Sequence, residues 1–258
     1  MNHILTEQQQ HLLVVKLNRP EKFNSFNRTM ALELISVLDK AKKDDNIKAI
    51  IITGEGKAFC AGQDLAEAID PNGPGIEKIV SEHYNPIILK IREMPKPVIA
   101  AVNGVAAGAG ANIALACDII FATKSSSFIQ AFSKIALIPD SGGTYTLPRI
   151  LGFPLASALM MTGDKLTAED AQKFGLVYKV FEDAEFMNEC MSNGHRLSEM
   201  PTKALALTKR LLNESYSHSL SEQLQMEKEL QIESADSHDY KEGVEAFLQK
   251  RKPVFKGN

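Results

Sequence analysis

Between Val98 and Leu147 the chain carries only two carboxylates, Asp118 and Asp140, and none of its six histidines. The first part of that stretch, from Pro97 to Ala116, reads PVIAAVNGVAAGAGANIALA. So little charge over so many residues is a property of chain that lies inside a protein. The glycines and alanines add that other backbone, or a ligand, comes very close there. Pro97 to Val102 therefore reads as a strand covered on both faces, Gly104 to Gly110 as a loop of small residues opening a helix at Ala111, and Asp118 to Ala122 as a further strand.

The flanking sequence has the same alternation. His11 to Leu17 and Ile47 to Thr53 are short β-branched runs, and between them Arg28 to Lys43 spaces Met30, Leu34, Leu38 and Ala41 along one helical face. A polar, glycine-bearing loop follows, then a helix from about Ile76 to Arg92 that stops before Pro95 and Pro97. Beyond residue 150 the segments read as helices, among them one opened by Thr167-Ala-Glu-Asp170 and closed near Gly175. We therefore expect an α/β core over residues 1–195 and a helical region over 196–258.

Composition narrows the function classes. The net charge of −3 and the absence of a basic stripe with interleaved aromatics argue against a nucleic-acid partner. No stretch reaches the ~18 uninterrupted apolar residues of a membrane helix, and the N-terminus lacks the basic-then-apolar pattern of a signal peptide. Cys60, Cys117 and Cys190 are an odd number, far apart, which suits a reducing cytoplasm and indicates neither a disulfide framework nor a zinc or other metal site.

Two small-residue turns invite a chemical reading. Gly104 to Gly110 fails as a dinucleotide fingerprint because position 113 is Ile, and no GxxxxGK phosphate loop occurs. Bare backbone N–H groups at a helix start can still face a developing negative charge, and Ala61-Gly62-Gln63 precedes another helical stretch in the same way. Close helix packing explains the same residues equally simply. Asp140 has two readings as well. It is the N-cap of the next helix, or it is a general acid/base made basic by an apolar surround of Phe128, Phe132, Ile135, Leu137 and Ile138.

Six separated segments, taken in order, closely resemble the crotonase (enoyl-CoA hydratase/isomerase) superfamily. They are Leu17 to Asn24, Gly56 to Asp64, Pro95 to Gly110, Asp118 to Ile120, Ile138 to Thr144 and Leu147 to Arg149, with Thr162-Gly163 and Ala171 to Val177 in support. The resemblance spans nearly the whole chain. It implies a crotonase-type α/β spiral of ββα units with a C-terminal helical trimerisation region, assembling as a homotrimer or a dimer of trimers. It implies an acyl-CoA thioester as ligand, with coenzyme A part of the substrate and no separate cofactor. It also implies an oxyanion hole made by the backbone N–H groups of Gln63 and Ala109.

Departures from the family pattern sharpen the activity. Hydratases of the family use two glutamates, and the matching positions here are Asn112 and Phe132, neither of which can act as a base. The string from Ala131 to Asp140 instead resembles the ring-epoxide phenylacetyl-CoA isomerases of bacterial phenylacetate degradation, and so implies Asp140 as the proton-transferring group of an isomerase. Ligand contacts implied by the same resemblance are Lys22, Asn24, Ala61, Asp64 and Leu65, with Phe132 and residues 66–92 along the acyl wall. Lys250, with Arg251, Lys252 and Lys256, is a candidate for the coenzyme A phosphates or a solvated basic tail, and Phe247 covers the ligand from a neighbouring subunit. Alternatives are a fatty-acid β-oxidation hydratase (lyase) that uses Asp140 in place of the glutamates, and a non-catalytic acyl-CoA-binding member.

Overall fold

The computed structural model describes residues 2–258, so Met1, where the expected core begins, lies outside the described residues. Ten strands form two sheets. The larger orders β1 (Ile4–Gln9), β2 (Leu12–Leu17), β3 (Ala49–Gly54), β5 (Val98–Val102), β7 (Ile119–Thr123) and β10 (Lys179–Phe181) side by side. The smaller orders β4 (Ala58–Cys60), β6 (Val105–Ala107), β8 (Ser127–Ile129) and β9 (Lys165–Thr167). Consecutive pairs β3/β4, β5/β6 and β7/β8 each place one strand in either sheet before the chain turns into a helix, which gives the expected spiral of ββα coils.

The helices of the core are α1 (Arg28–Lys43), α2 (Leu65–Ala68), α3 (Gly75–Lys78), α4 (Asn85–Arg92), α5 (Ala109–Ala116), α6 (Gly143–Leu151), α7 (Phe153–Thr162), α8 (Ala168–Lys173) and α9 (Phe186–Ser198). Strand side chains alternate between two apolar layers, as a period of two dictates. Ile50, Ile52, Val98 and Ala100 join Met30, Leu34 and Leu38 of α1 on one face. Ile51, Ile99 and Ala101 join Phe186 and Cys190 of α9 on the other. The expected core boundary after residue 195 therefore falls inside α9, a helix packed on the large sheet, and the separate helical region starts with α10 (Thr202–Glu214), followed by α11 (Leu220–Ala235) and α12 (His238–Gln249).

Other expectations meet the structure unevenly. The Arg28–Lys43 helix has the expected bounds, with the Asn27 side chain accepting from the Met30 N–H as its cap. Thr167 caps α8 in the same way, and beyond the helix Gly175 (φ +80°) lets Leu176 N–H reach Ala171 O at 2.9 Å and its own N–H reach Gln172 O at 3.0 Å. Those two bonds are a Schellman ending. The helix expected from Ile76 to Arg92 is interrupted by a π-helical turn, Ile79–Tyr84, between α3 and α4. The expected loop 104–110 contains strand β6, the expected polar loop after Thr53 contains β4, and β1, β8, β9 and β10 arise in segments not read as strands. Among the described residues no helix is long and apolar enough to cross a membrane.

Candidate active site

A cavity of about 530 Å³ opens between the small sheet and the α2–α4 segment. Its wall includes Ala61, Gly62 and Gln63 after β4, Gly108 and Ala109 at the start of α5, and Phe132 to Asp140 in the turn before α6. The turns after β4 and β6 meet because both strands pair in parallel, with Ala58 beside Val105 and Cys60 beside Ala106. A β-carbon placed on Gly62 would stand 3.0 Å from the Ala107 carbonyl oxygen and 3.6 Å from the Ala109 nitrogen, in a backbone with φ +94°. Gly110 meets Cys60 still more closely, since a β-carbon there would lie 2.4 Å from the Cys60 oxygen and 2.7 Å from its sulfur. The small-residue pattern thus answers both readings at once: the turns are in tight contact, and that contact brings two backbone donors to one cavity.

Among the described residues neither the Gln63 N–H nor the Ala109 N–H has an acceptor. For Ala109 this follows from its place in the first turn of a helix. For Gln63 it follows from a bridge to Phe26. The Phe26 N–H donates to Gly62 O at 2.7 Å, and Phe26 O accepts from the Asp64 N–H at 2.8 Å, so the Gln63 N–H is left over.

Among the described residues Asp140 is the only carboxylate in the lining. It is not the cap of α6, whose N-cap is Gly142; its carbonyl accepts from the Gly143 N–H at 2.9 Å, while its carboxylate accepts the Ser141 hydroxyl at 2.7 Å. Burial raises its pKa above the usual carboxylate value, with the Ser141 hydrogen bond working partly against the rise. Its apolar surround includes Phe132, Ile135, Leu137 and Ile138 as expected, but Phe128 lies elsewhere, inside the main core.

Asn112 takes no part in the lining. It is buried under the turn, where its Nδ2 donates to the Asp140 carbonyl at 2.8 Å and its Oδ1 accepts from Gln130 at 2.8 Å. Asn112, which the resemblance set against a hydratase glutamate, therefore braces the backbone of Asp140. Phe132 lays its ring near Gly108, its nearest ring atom 3.8 Å from where a β-carbon would be, and closes that end of the cavity with hydrocarbon.

Of the other expected contacts, Ala61 and Leu65 line the cavity, as do Ala68, Ile76, Ile79, Val80 and Tyr84 of the expected acyl wall. Asn24 and Asp64 do not. Asn24 is fully buried and spends its side chain on the backbone of Arg19, Glu55 and Ala58. Asp64 caps α2 through the Ala66 N–H at 3.1 Å and pairs with Arg19 at 2.9 Å. Lys22 ends an exposed turn away from the lining.

Phe247 is exposed and belongs to a separate apolar cleft of about 380 Å³ that also takes in Pro201, Leu248 and Phe255. Lys250 ends α12 with φ +55°, Arg251 pairs with Glu242 and Lys252 with Glu199, and the Lys256 backbone N–H is held by Asp239, so the basic tail is largely engaged within its own region. One cavity residue escaped sequence reading: Lys134, the one cation in the lining among the described residues. Tyr84 fell within the expected acyl wall, with no motif around it to single it out.

The description "enoyl-CoA hydratase/isomerase" belongs to the protein family whose model matches residues 7–258. The chain is 42% identical over 260 residues to the 1,2-epoxyphenylacetyl-CoA isomerase of Escherichia coli K12, covering 100% of this chain and 99% of that one. It is 33% identical over 257 residues to the 2,3-dehydroadipyl-CoA hydratase of the same strain, covering 100% of both. The crystal structure of an enoyl-CoA hydratase from Polaromonas sp. JS666 superposes with a TM-score of 0.91 at 35% identity, over 98% of this chain and 99% of that one.

Proposed function

Because the chain belongs to the enoyl-CoA hydratase/isomerase family, we propose that it is an acyl-CoA isomerase, moving a double bond or isomerising a ring epoxide in a coenzyme A thioester. One observation carries the reading: a single carboxylate, Asp140, stands in an apolar cavity that also receives two unpaired backbone N–H groups. The thioester carbonyl lies between the N–H groups of Gln63 and Ala109, whose hydrogen bonds strengthen as charge moves onto oxygen in the enolate-like transition state. Asp140 takes a proton from one carbon of the allylic system and returns it to another. Its raised pKa suits both halves of that exchange, since a carboxylate nearer neutrality is the stronger base and its acid still gives the proton back.

Hydration asks for more than the cavity holds. A water must be held and deprotonated while a second group protonates the adjacent carbon, and the positions of the two family glutamates are occupied by the buried brace Asn112 and the apolar Phe132. The similarity to a 1,2-epoxyphenylacetyl-CoA isomerase at 42% identity supports the same choice. Lys134 at the cavity is the nearest cation for an anionic part of the ligand. Exposed Leu212, Leu220 and Phe247 in the helical region support a homotrimer or dimer of trimers as the working assembly.

Asp140→Asn keeps the volume and removes the base. We expect isomerisation of a 3-enoyl-CoA to fall at least ~100-fold in that variant, with wild-type hydration of crotonyl-CoA slower than wild-type isomerisation. Equal isomerisation rates in wild type and variant, read by NMR of the product, overturn the proposal.

A further inference from the structure

The reaction uses Gln63 through its backbone alone, yet its side chain sits in the cavity wall with both ends of the amide engaged. Oε1 accepts from the Tyr84 hydroxyl at 2.8 Å, and Nε2 donates to Glu67 at 3.2 Å. The Glu67 carboxylate is itself fixed by the Arg28 backbone N–H, at 2.9 and 3.0 Å. A glutamine amide left free beside two unpaired N–H groups has an acceptor oxygen able to turn onto them and fill the space meant for a substrate carbonyl. Here the oxygen is already taken.

Tyr84 also bears on the main chain of Gln63. Its ring meets Phe26 edge-on, with centroids 6.0 Å apart at 67°, and Phe26 is the residue whose bridge on both sides of Gln63 turns that N–H toward the cavity. Tyr84 is fully buried and closes the π-helical turn Ile79–Tyr84. A residue inserted into an α-helix rotates everything after it by about 100°, so the direction of this ring depends on that turn. Single π turns of this kind recur at functional sites.

We propose that Tyr84 is a positioning residue for the oxyanion donor at Gln63, holding the amide off the hole through its hydroxyl and the donor in line through Phe26. The inference rests on reading the cavity as the oxyanion site of an acyl-CoA isomerase. Tyr84→Phe keeps the ring and its contact with Phe26 and removes the hydroxyl. Its kcat falls about 10-fold, while KM stays within about twofold because the acyl wall is unchanged.

The second readout is the absorption of a bound para-aminocinnamoyl-CoA thioester, a conjugated probe that moves to the red when its carbonyl is polarised. The wild type gives a red shift and Tyr84→Phe a smaller one. In a Gln63→Met background, which keeps the backbone N–H and removes the amide, Tyr84→Phe has no further effect. Wild-type kcat and red shift in Tyr84→Phe, or an equal loss in the Gln63→Met background, overturn the role of Tyr84. Absence of any red shift in the wild type overturns the oxyanion reading itself.

Discussion

Asp118 and Asp140, the two carboxylates of the charge-poor stretch, have opposite fates. Asp118 Oδ2 accepts from the Val98 N–H at 2.8 Å and from Lys209 Nζ at 2.8 Å, and Oδ1 faces Arg92 at 3.5 Å. Asp140 has one neutral partner, Ser141, and no ion pair among the described residues. Burial draws Asp140 out of water, which disfavours its charge. Asp118 stays partly exposed and is held by two cations and a backbone donor, a junction that ties α10 to the core. At Asp140 no cation stands by, the Ser141 hydroxyl and the residue's own backbone N–H offset only part of the loss, and burial raises the pKa. Cations placed beside one carboxylate and kept from the other separate a fastening from the carboxylate proposed as proton carrier.

The contrast can be broken first at Lys209, whose own pKa is lowered by burial, with Asp118 working against that shift. Lys209→Met takes the closest cation from Asp118, which keeps Arg92, the Val98 N–H and part of its exposure, and is expected to cost ~1 to 3 kcal/mol, the range for a lost charged hydrogen bond. Urea denaturation at neutral pH measures it, and a loss below ~1 kcal/mol makes the pair equivalent to a surface one. Turnover per folded molecule should be retained. Asn112→Ala tests the other side of the comparison, by removing the brace under Asp140 and leaving Gln130 without its acceptor. We expect a cost of about 2 kcal/mol together with reduced turnover, so a variant that loses stability without losing rate would separate the brace from the chemistry.

The smallest effect concerns Asp140 and stability. Its raised pKa means that the folded chain holds this proton more tightly than the unfolded chain does. The charged form is therefore a handicap to folding at neutral pH, and the handicap fades as pH falls through the raised value toward the ordinary 3.8. Thermal unfolding should accordingly find Asp140→Asn more stable than wild type at neutral pH, with the two converging in acid. Equal stability at neutral pH removes the proposed difference between the two carboxylates.

The sequence made some elements legible and hid others for definite reasons. Arg28–Lys43 was readable because four core residues fall on one face and Asn27 caps the start. β1 was not, because only Ile4 of its six residues is buried and its form comes from pairing with β2. β9 and β10 are three residues each, too short to show a period of two. The run after Ser219 reads as one long helix, but Ser237 caps a second start within it.

At the site, Gln63, Ala109 and Asp140 were legible through their motifs, and the structure brings all three to one cavity. Asn112 as a brace was not, since the bond to Asp140 O spans residues that only the fold brings together. Asn24 and Asp64 sit in the matching motif because that motif also encodes the turn beneath the site. The π-helical turn before α4 inserts one residue and swings the side chains after it by about 100°, and no residue pattern around Tyr84 announces it.

The two N–H groups proposed as oxyanion donors come from successive coils of the spiral, Gln63 after β4 and Ala109 after β6. A chain that has formed its strands and helices but has not stacked one coil on the next therefore has neither a cavity nor a paired set of donors. Catalytic rate during refolding then serves as a clock for coil stacking, trailing far-ultraviolet circular dichroism by the time the small sheet takes to zip. On the proposed reading, no half-assembled form of the chain can hold a thioester carbonyl from both sides.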